Sequence, residues 1–455
     1  MAEFISIERN GMRMELFDRL KGGGLGAVVA RGTAGSLIIK SAGLLLVFGA
    51  HLLLTRLLGA GGYGAYSLVI SWLSVLAVFA KLGQVPVALR FVAAYNTSGD
   101  WSSLRGLLLR SSQLLGGASA GAGLALAAVV LWLGGRLDSE LRRAFLIGCL
   151  ALPLMCLLPM REAVLQGLKK IVLSQAASRL ILPVCLAAFA ALRALAGRRH
   201  FDGADAVWCT LLAYAVCLVF SSIWQRKALP GEVRQSRPAF HTRQWLTVGL
   251  GMLFVTGQFL VLNRIDIMML GALSGKAWAG IYAVAARVSW LVTFFLEAVS
   301  MIAAPLISEL YTGKRMAELQ RMTYHAVLAS TIFATAVCLV LLAFGRFFLG
   351  LFGPEFSAGY TALGVLSFAQ LINAVTGPSG FLLTMTGHEN SYSRILFFAL
   401  LLNILLNYLL IPRYGMNGAA VATALANILL NAWSVILIRR RLGIWSLCGA
   451  GGRSK

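Results

Sequence analysis

Charged residues are scarce in this chain, and the informative ones lie inside apolar sequence. Lys40 sits in the first third of one hydrophobic run, Arg179 within another, and Arg287 about ten residues into a third. Holding a charge at the centre of a bilayer costs between about 3 and 17 kcal/mol, so such residues face water, a partner or a ligand. A guanidinium offers a planar fork of donors that grips phosphate or carboxylate through paired bonds, and an ammonium acts there as a point charge. The chemistry predicted from Lys40, Arg179, Arg264 and Arg287 is therefore anion binding, with Arg287 as the principal contact and Lys40 and Arg264 beside it. Lys81, Arg110 and the Arg161-Glu162 pair stand nearer the ends of their runs, where long side chains reach an interface. Gln258, Asn263, Gln370 and Asn373, with Asp266 close by, are read as supporting polar groups. Asn403 and Asn407 belong to the same set, and some of these residues join neighbouring helices instead.

No pattern for covalent or metal chemistry accompanies the cations. His51, His200, His241, His325 and His388 are scattered, and neither a GxSxG elbow nor a phosphate-binding GxxxxGK[ST] loop is present. The acids form no paired-carboxylate site. The seven cysteines fall almost entirely in apolar runs without a CxxC pair and read as small buried hydrophobes. No catalytic residue, metal or cofactor is expected. The chain is read as a non-enzyme that cannot hydrolyse ATP by itself, which leaves secondary or facilitated transport.

The elements that position these charges are membrane helices. Hydrophobic residues make up 59% of the 455 and charged residues 13%, against roughly 25% charged in a soluble domain; mean hydropathy is +0.80. A helix needs about 20 apolar residues to cross a bilayer. Twelve such spans are predicted, at 33–54, 63–82, 104–133, 143–165, 171–196, 204–225, 244–263, 277–303, 323–344, 357–386, 392–411 and 416–438. Barrel strands are too short for these runs and lipid tolerates no unpaired backbone, so the fold class is an all-α polytopic membrane protein. The polar start carries no cleavage site ahead of the first run, which is expected to be a permanent span. With that start in the cytoplasm, 24 Lys and Arg fall in inside segments and eleven in outside ones, which places both termini in the cytoplasm. Much of the net charge of +23 is that signal together with contact with anionic lipids. No basic stripe with interleaved aromatics points to nucleic acid.

The chain also repeats itself. Gly64-Ala65-Tyr66 through Tyr95 aligns with Gly280-Ile281-Tyr282 through Tyr311 at an offset of 216 without a gap. A period near half the chain means duplicated halves, each with six spans, related by an axis along the membrane normal. The expected organisation is a cytoplasmic segment 1–32, an N-lobe 33–225, a cytoplasmic linker 226–243, a C-lobe 244–438 and a basic tail 439–455. Pro86, Pro153, Pro159, Pro183, Pro305 and Pro378 are expected to weaken the helical ladder where they fall, and Gly377-Pro378-Ser379-Gly380 to break the tenth span.

Three segments carry a family resemblance: Arg56-Leu57-Leu58-Gly59 to Gly64-Ala65-Tyr66-Ser67, Asp266-Ile267-Met268-Met269-Leu270-Gly271 to Gly280-Ile281-Tyr282, and Thr386-Gly387-His388-Glu389-Asn390 followed by Leu410-Ile411-Pro412-Arg413-Tyr414-Gly415-Met416-Asn417-Gly418. In order and spacing they resemble the Wzx-type polysaccharide flippases of the multidrug/oligosaccharidyl-lipid/polysaccharide exporter superfamily. That resemblance implies two six-helix lobes in a V around a central cavity. It also implies translocation of an undecaprenyl-pyrophosphate-linked oligosaccharide across a bacterial inner membrane, for O-antigen, capsule or exopolysaccharide synthesis. The implied protein is a monomer working beside a polymerase and a chain-length regulator; H+ or Na+ coupling, membrane potential and consumption of product outside all stand open as its energy source.

Three other classes are weighed. A cation-coupled multidrug exporter is expected to carry an acid in its first span, where this chain has Lys40. A lipid II flippase is expected to have fourteen spans. A glycan polymerase or ligase needs a large outer loop bearing Arg and His. Lys81 and Glu297 occupy equivalent repeat positions near the inner ends of the second and eighth spans. They are read as a gate pair, made in the outward-open state and broken when the substrate headgroup enters.

Overall fold

The computed structural model describes residues 25–197 and 201–446. Most of the predicted N-terminal segment, the pair Arg198-Arg199 and the tail beyond 446 lie outside the described residues. Every regular element described is helical. Among the described residues, ten helices are long and apolar enough to cross a membrane.

The first, α1 (Leu25–Ala80), contains two of the predicted spans, joined not by a loop but by a kink at Gly59 with φ 63°. Only glycine takes that conformation at little cost. The break frees the Ala60 amide, which donates to the Glu355 carboxylate at 2.5 Å. The last, α16 (Glu389–Leu442), is broken in the same way at Gly415, φ 55°. Split at these glycines, the ten helices supply twelve membrane-length segments.

Between them, α2 (Gln84–Ser98) fills the interval between the second and third predicted spans. It is followed by α3 (Trp101–Leu133), whose first turn is capped by Asp100 accepting from the Ser103 amide, and by α4 (Ser139–Gly167). The next span is not uniform: α5 (Ile171–Ala176) passes through a π-turn at Ala177–Ile181 into α6 (Leu182–Leu195). Widening the helix there displaces the Ser178 amide, which finds the Glu162 carboxylate at 3.1 Å. The helix α7 (Gly203–Ala228) opens with a capping box between Asp202 and Asp205. Between α7 and α9 lies the short α8 (Gly231–Gln235).

The second half keeps the predicted end of the seventh span and adds a short helix beyond it. That span, α9 (Thr242–Leu262), stops at Asn263-Arg264, and α10 (Ile265–Leu273) continues beyond the break. Then come α11 (Lys276–Ser289), a 3-10 turn at Trp290–Thr293, α12 (Phe294–Thr312) and α13 (Met316–Phe352). The predicted break in the tenth span is present: α14 (Tyr360–Thr376) ends at Gly377, φ 70°, and α15 (Ser379–Met385) follows Pro378. Pro153, Pro159 and Pro305 sit inside continuous helices, so at those sites the predicted weakening does not end a helix.

Large apolar side chains such as Leu124, Trp132 and Leu405 stand exposed on the outer faces, where lipid rather than water is the solvent. The two halves meet where α11 crosses α1. A methyl group added at Gly64 would lie 1.7 Å from the Lys276 carbonyl oxygen, and one added at Gly280 would lie 2.5 Å from the Ala60 carbonyl oxygen. Position 60 plus 216 is 276, and 64 plus 216 is 280. The two contacts are thus reciprocal under the offset that relates the repeats, and glycine at both positions lets the backbones touch.

Candidate functional site

Below this crossing lies a cavity of about 510 Å³. Its walls come from α1, the π-turn and α6, α7, the α9–α10 break, and α11 through the start of α12. All four predicted anion contacts line it. Lys40 comes from α1, Arg179 from the π-turn, Arg264 from the helix break and Arg287 from α11, and Glu297 is the sole carboxylate among the lining residues. Each cation depends on a local device. Gly43 admits the backbone of Arg179 against α1, since a Cβ there would lie 2.9 Å from the Arg179 carbonyl oxygen. The break after Leu262 turns Arg264 inward beside Asn263, which also lines the cavity.

Arg287 is held in place. Its Nη1 donates to the Tyr63 hydroxyl at 2.6 Å, and that hydroxyl lies 3.1 Å from His51 Nδ1. Tyr63 is fully buried, between the His51 and Phe356 rings. Lys40 lies against Met301 and within the field of both Arg179 and Glu297.

Four predicted supporting residues are not at the cavity. Asp266 is buried behind it, accepting from Tyr282 Oη at 3.1 Å, Asn407 Nδ2 at 2.8 Å and Thr423 Oγ1 at 2.6 Å. It ties α10 to α11 and both limbs of α16, with Asn403 and Asn407 serving as the helix contacts foreseen for some of the polar set. Gln258 accepts from Ser393 Oγ at 3.0 Å, joining α9 to α16. Gln370 and Asn373 lie on α14, outside the lining.

Lys81 and Glu297 form no ion pair with each other among the described residues. Lys81 lies in the field of Glu162 and Cys156, Glu297 in that of Lys40. The helical offset explains the difference. The first copy leaves its helix at Ala80 and turns at Gly83, φ 67°, whereas the second continues through Glu297 in α12. Arg161, read as reaching an interface, instead donates to Gln225 Oε1 at 3.1 Å inside the N-terminal half.

The sequence reading missed His51, Tyr63, Tyr66 and Tyr214. Tyr66 and Tyr282 are equivalent in the repeat, yet Tyr66 lines the cavity and Tyr282 holds Asp266. Their shared Gly-x-Tyr pattern was the available signal.

At the end of α1 and α11 where the glycines meet, polar contacts cross between the halves. Lys276 pairs with Asp138 and, at 2.7 Å, with Glu140, while Arg56 Nε donates to the Leu351 carbonyl at 2.9 Å. The Lys276 ammonium, donating to Asp138, holds that carboxyl below the usual carboxylate range. The halves are packed against each other at this end.

Residues 29–311 match the family described as polysaccharide biosynthesis protein, and residues 252–409 match the MatE family. The probable low-salt glycan biosynthesis flippase Agl15 of Haloferax volcanii is 26% identical over 162 residues, which is 35% of this chain and 34% of that protein. The capsular polysaccharide biosynthesis protein CapF of Staphylococcus aureus is 26% identical over 160 residues, 35% of this chain and 40% of that protein. The chain thus spans between a third and a half of the length of the curated relatives it matches. Among solved structures, an inward-facing multidrug resistance MATE family transporter of the MOP superfamily superposes with a TM-score of 0.72 at 13% identity, covering 90% of this chain and 98% of that one. A MOP superfamily transporter from Pyrococcus furiosus, described by the reverse polarity of its binding pocket, gives 0.65 at 14% identity, covering 93% and 97%. These likenesses establish a MATE-type transporter fold.

Proposed function

The chain belongs to the polysaccharide biosynthesis protein family, and from that premise we propose that it is a flippase for polyprenyl-pyrophosphate-linked oligosaccharide. The observation that carries the reading is the convergence of Lys40, Arg179, Arg264 and Arg287, from four separate segments, on one cavity that holds a single carboxylate. Such a lumen stabilises phosphoryl oxygens through charge-assisted bonds and repels the cationic drugs that a multidrug exporter moves. Flippase relatives matched over part of their length point the same way.

In this account the protein lies in the cytoplasmic membrane with both termini inside. Two six-span lobes form a V, joined by the 226–243 linker. The reciprocal Gly64–Gly280 crossing and the Lys276 pairs seal the outer side, so the cavity receives substrate from the cytoplasmic leaflet. Rocking of the lobes opens the seal and delivers the headgroup outward. Arg287, clamped by Tyr63, is the fixed anion contact, and the surrounding cations neutralise the pyrophosphate in a cavity where water cannot. Lys81 and Glu297 approach when the inner side closes. The protein works as a monomer beside a polymerase and chain-length regulator, driven by an ion gradient or by membrane potential.

The test in cells compares Arg287→Lys with Arg315→Lys at equal protein levels. Arg315 is exposed and pairs with Glu318 on its own turn. A phosphate fork is lost in the first variant and nothing relevant in the second, so surface glycan should fall only for Arg287→Lys. Equal glycan in both would remove Arg287 from the transport path.

A further inference from the structure

The contacts that join the halves at the outer end follow the repeat. Gly59, where α1 kinks, plus 216 is Gly275, the residue before α11, and both have positive φ, 63° and 96°. The residue after each glycine therefore begins a new helical limb, Ala60 in one half and Lys276 in the other. Each is met by a carboxylate from the opposite half. Glu355 Oε1 accepts from the Ala60 amide at 2.5 Å, and Glu140 Oε2 accepts from the Lys276 ammonium at 2.7 Å. The two acids are themselves equivalent, at an offset of 215, and both fall where the chain turns after the third span of its half.

The equivalence is one of place and not of chemistry. Lys276 meets Glu140 with a side chain, and Glu140 is also committed to its own half, where it accepts from the Gly203 amide at 2.7 Å. Ala60 has no such group and offers its backbone. A kink leaves the first amides of the new limb without intrahelical acceptors, and a carboxylate placed there gains from both the charge-assisted bond and the helix dipole. Gly59 keeps the approach open, since a Cβ there would lie 3.0 Å from Glu355 Oε1. Among the described residues the Ala60 amide is the sole hydrogen-bonding partner of the Glu355 carboxylate. Glu355 is exposed and Ala60 buried. The bond can therefore break toward outside water without stranding a buried charge, which would resist opening.

The arm that carries Glu355 is fixed. It is the 3-10 turn Pro354–Gly359, and its next residue, Phe356, is fully buried with its ring edge-on to Tyr63, the centroids 6.1 Å apart. Beside it Arg56 Nε, from the other half, donates to the Leu351 carbonyl in the last turn of α13 at 2.9 Å. A cation thus meets the end of one helix and an anion the start of another, each across the halves, as the helix dipoles favour.

We propose that Glu355 is the latch of the outer seal. Its carboxylate caps the second limb of α1 from the opposite half, holds the outer ends together while the cavity is open to the cytoplasm, and lets go when the halves separate. The proposal rests on the alternating-access part of the flippase reading and names the residue that sets the resting equilibrium. The contact is made in one state and absent from the other, and a difference of that kind lets a residue outside the cavity bias the two.

Two reporters test this in the full chain with its native cysteines replaced, each labelled by a membrane-impermeant maleimide. Ala60→Cys, buried in the sealed state and with its amide left in place, reports outward opening in intact cells. Ala298→Cys, in the cavity wall, reports access from the cytoplasm in inside-out vesicles. Glu355→Ala should make Ala60→Cys label about tenfold faster, the loss of one charge-assisted hydrogen bond, and Ala298→Cys no faster. Glu355→Gln keeps an acceptor oxygen without the charge and should fall between wild type and Glu355→Ala. Unchanged outside labelling in a folded Glu355→Ala overturns the latch. So does faster labelling at both reporters, which marks a loosened fold and not a shifted equilibrium. Should Glu355→Ala fail to fold, Glu355→Gln labelling at the wild-type rate overturns the latch as well. Neither reporter needs substrate, so a wild type that flips no lipid-linked glycan while the labelling shifts are present overturns the flippase reading and leaves the latch standing.

Discussion

Replacing Gly64 with alanine should open the outer seal. The added methyl carbon would stand 1.7 Å from the Lys276 carbonyl oxygen, 2.5 Å from its carbon and 3.2 Å from the Gly280 amide nitrogen. Carbon–oxygen contacts settle near ~3.3 Å, so α1 and α11 must separate by about 1.6 Å. Both partners are backbone in helices, so neither can rotate away as a side chain would. Overpacking of this kind costs about 1–3 kcal/mol. The cost falls only on the state in which the halves touch, so it shifts the equilibrium toward the outward-open state by about 5- to 150-fold. The assay is labelling of Ala60→Cys, in a background with its native cysteines replaced, by a membrane-impermeant maleimide added outside. Ala60 is buried at 5% exposure in the sealed state, so labelling should be slow with Gly64 and fast with Gly64→Ala. The control is Gly117→Ala, in α3 with nothing within 4 Å of its added methyl group, which should label as wild type. Slow labelling in a folded Gly64→Ala would refute the contact as the seal.

The same seal should respond to external pH. Asp138 has its carboxyl depressed by the Lys276 ammonium, so its contribution is present above the ordinary carboxylate range and is lost as pH falls through the depressed value. Ala60→Cys labelling, taken relative to an exposed cysteine at the same pH, should therefore rise in acid, and Asp138→Asn should flatten that dependence; an identical acid response in the variant would exclude this carboxylate. Topology predicts that Arg237→Cys, exposed in the linker, labels only after permeabilisation, and labelling of intact cells would place the linker outside. Lys81→Glu and Glu297→Lys should each impair glycan export and restore much of it together; a double variant no better than the worse single one would rule out the gate pair.

Much of the architecture was legible because membranes restrict it. Apolar length placed the spans, and the 216-residue offset located the helices that form the central crossing. Gly377-Pro378 announced its break because a missing amide and a left-handed glycine leave few alternatives. The kinks at Gly59 and Gly415 were read as loops, since a span ending and a span bending at glycine look alike when polar residues such as Arg56 and Arg413 surround them. The seventh span ends where Asn263-Arg264 interrupt the apolar run, and the short hydrophobic α10 beyond it is below span length and gave no signal. Among site residues, charge burial identified the four cations whatever their neighbours. Asp266, Gln258, Gln370 and Asn373 were misplaced because polarity inside a span says that a partner exists without saying which face it occupies. The π-turn that presents Arg179 had no signal of its own, as it depends on the distant carboxylate of Glu162 to accept the displaced amide.

Reconstituted flipping measures directly whether the cationic cavity moves an anionic lipid-linked glycan. Wild-type protein in liposomes should expose a fluorescent polyprenyl-pyrophosphate oligosaccharide to an external quencher, and folded Arg287→Ala should do so at about a tenth of that rate or less, the loss of a charged hydrogen-bonding group at a phosphate. Flipping by Arg287→Ala at the wild-type rate would mean that the cationic cavity is not the path of the lipid-linked glycan.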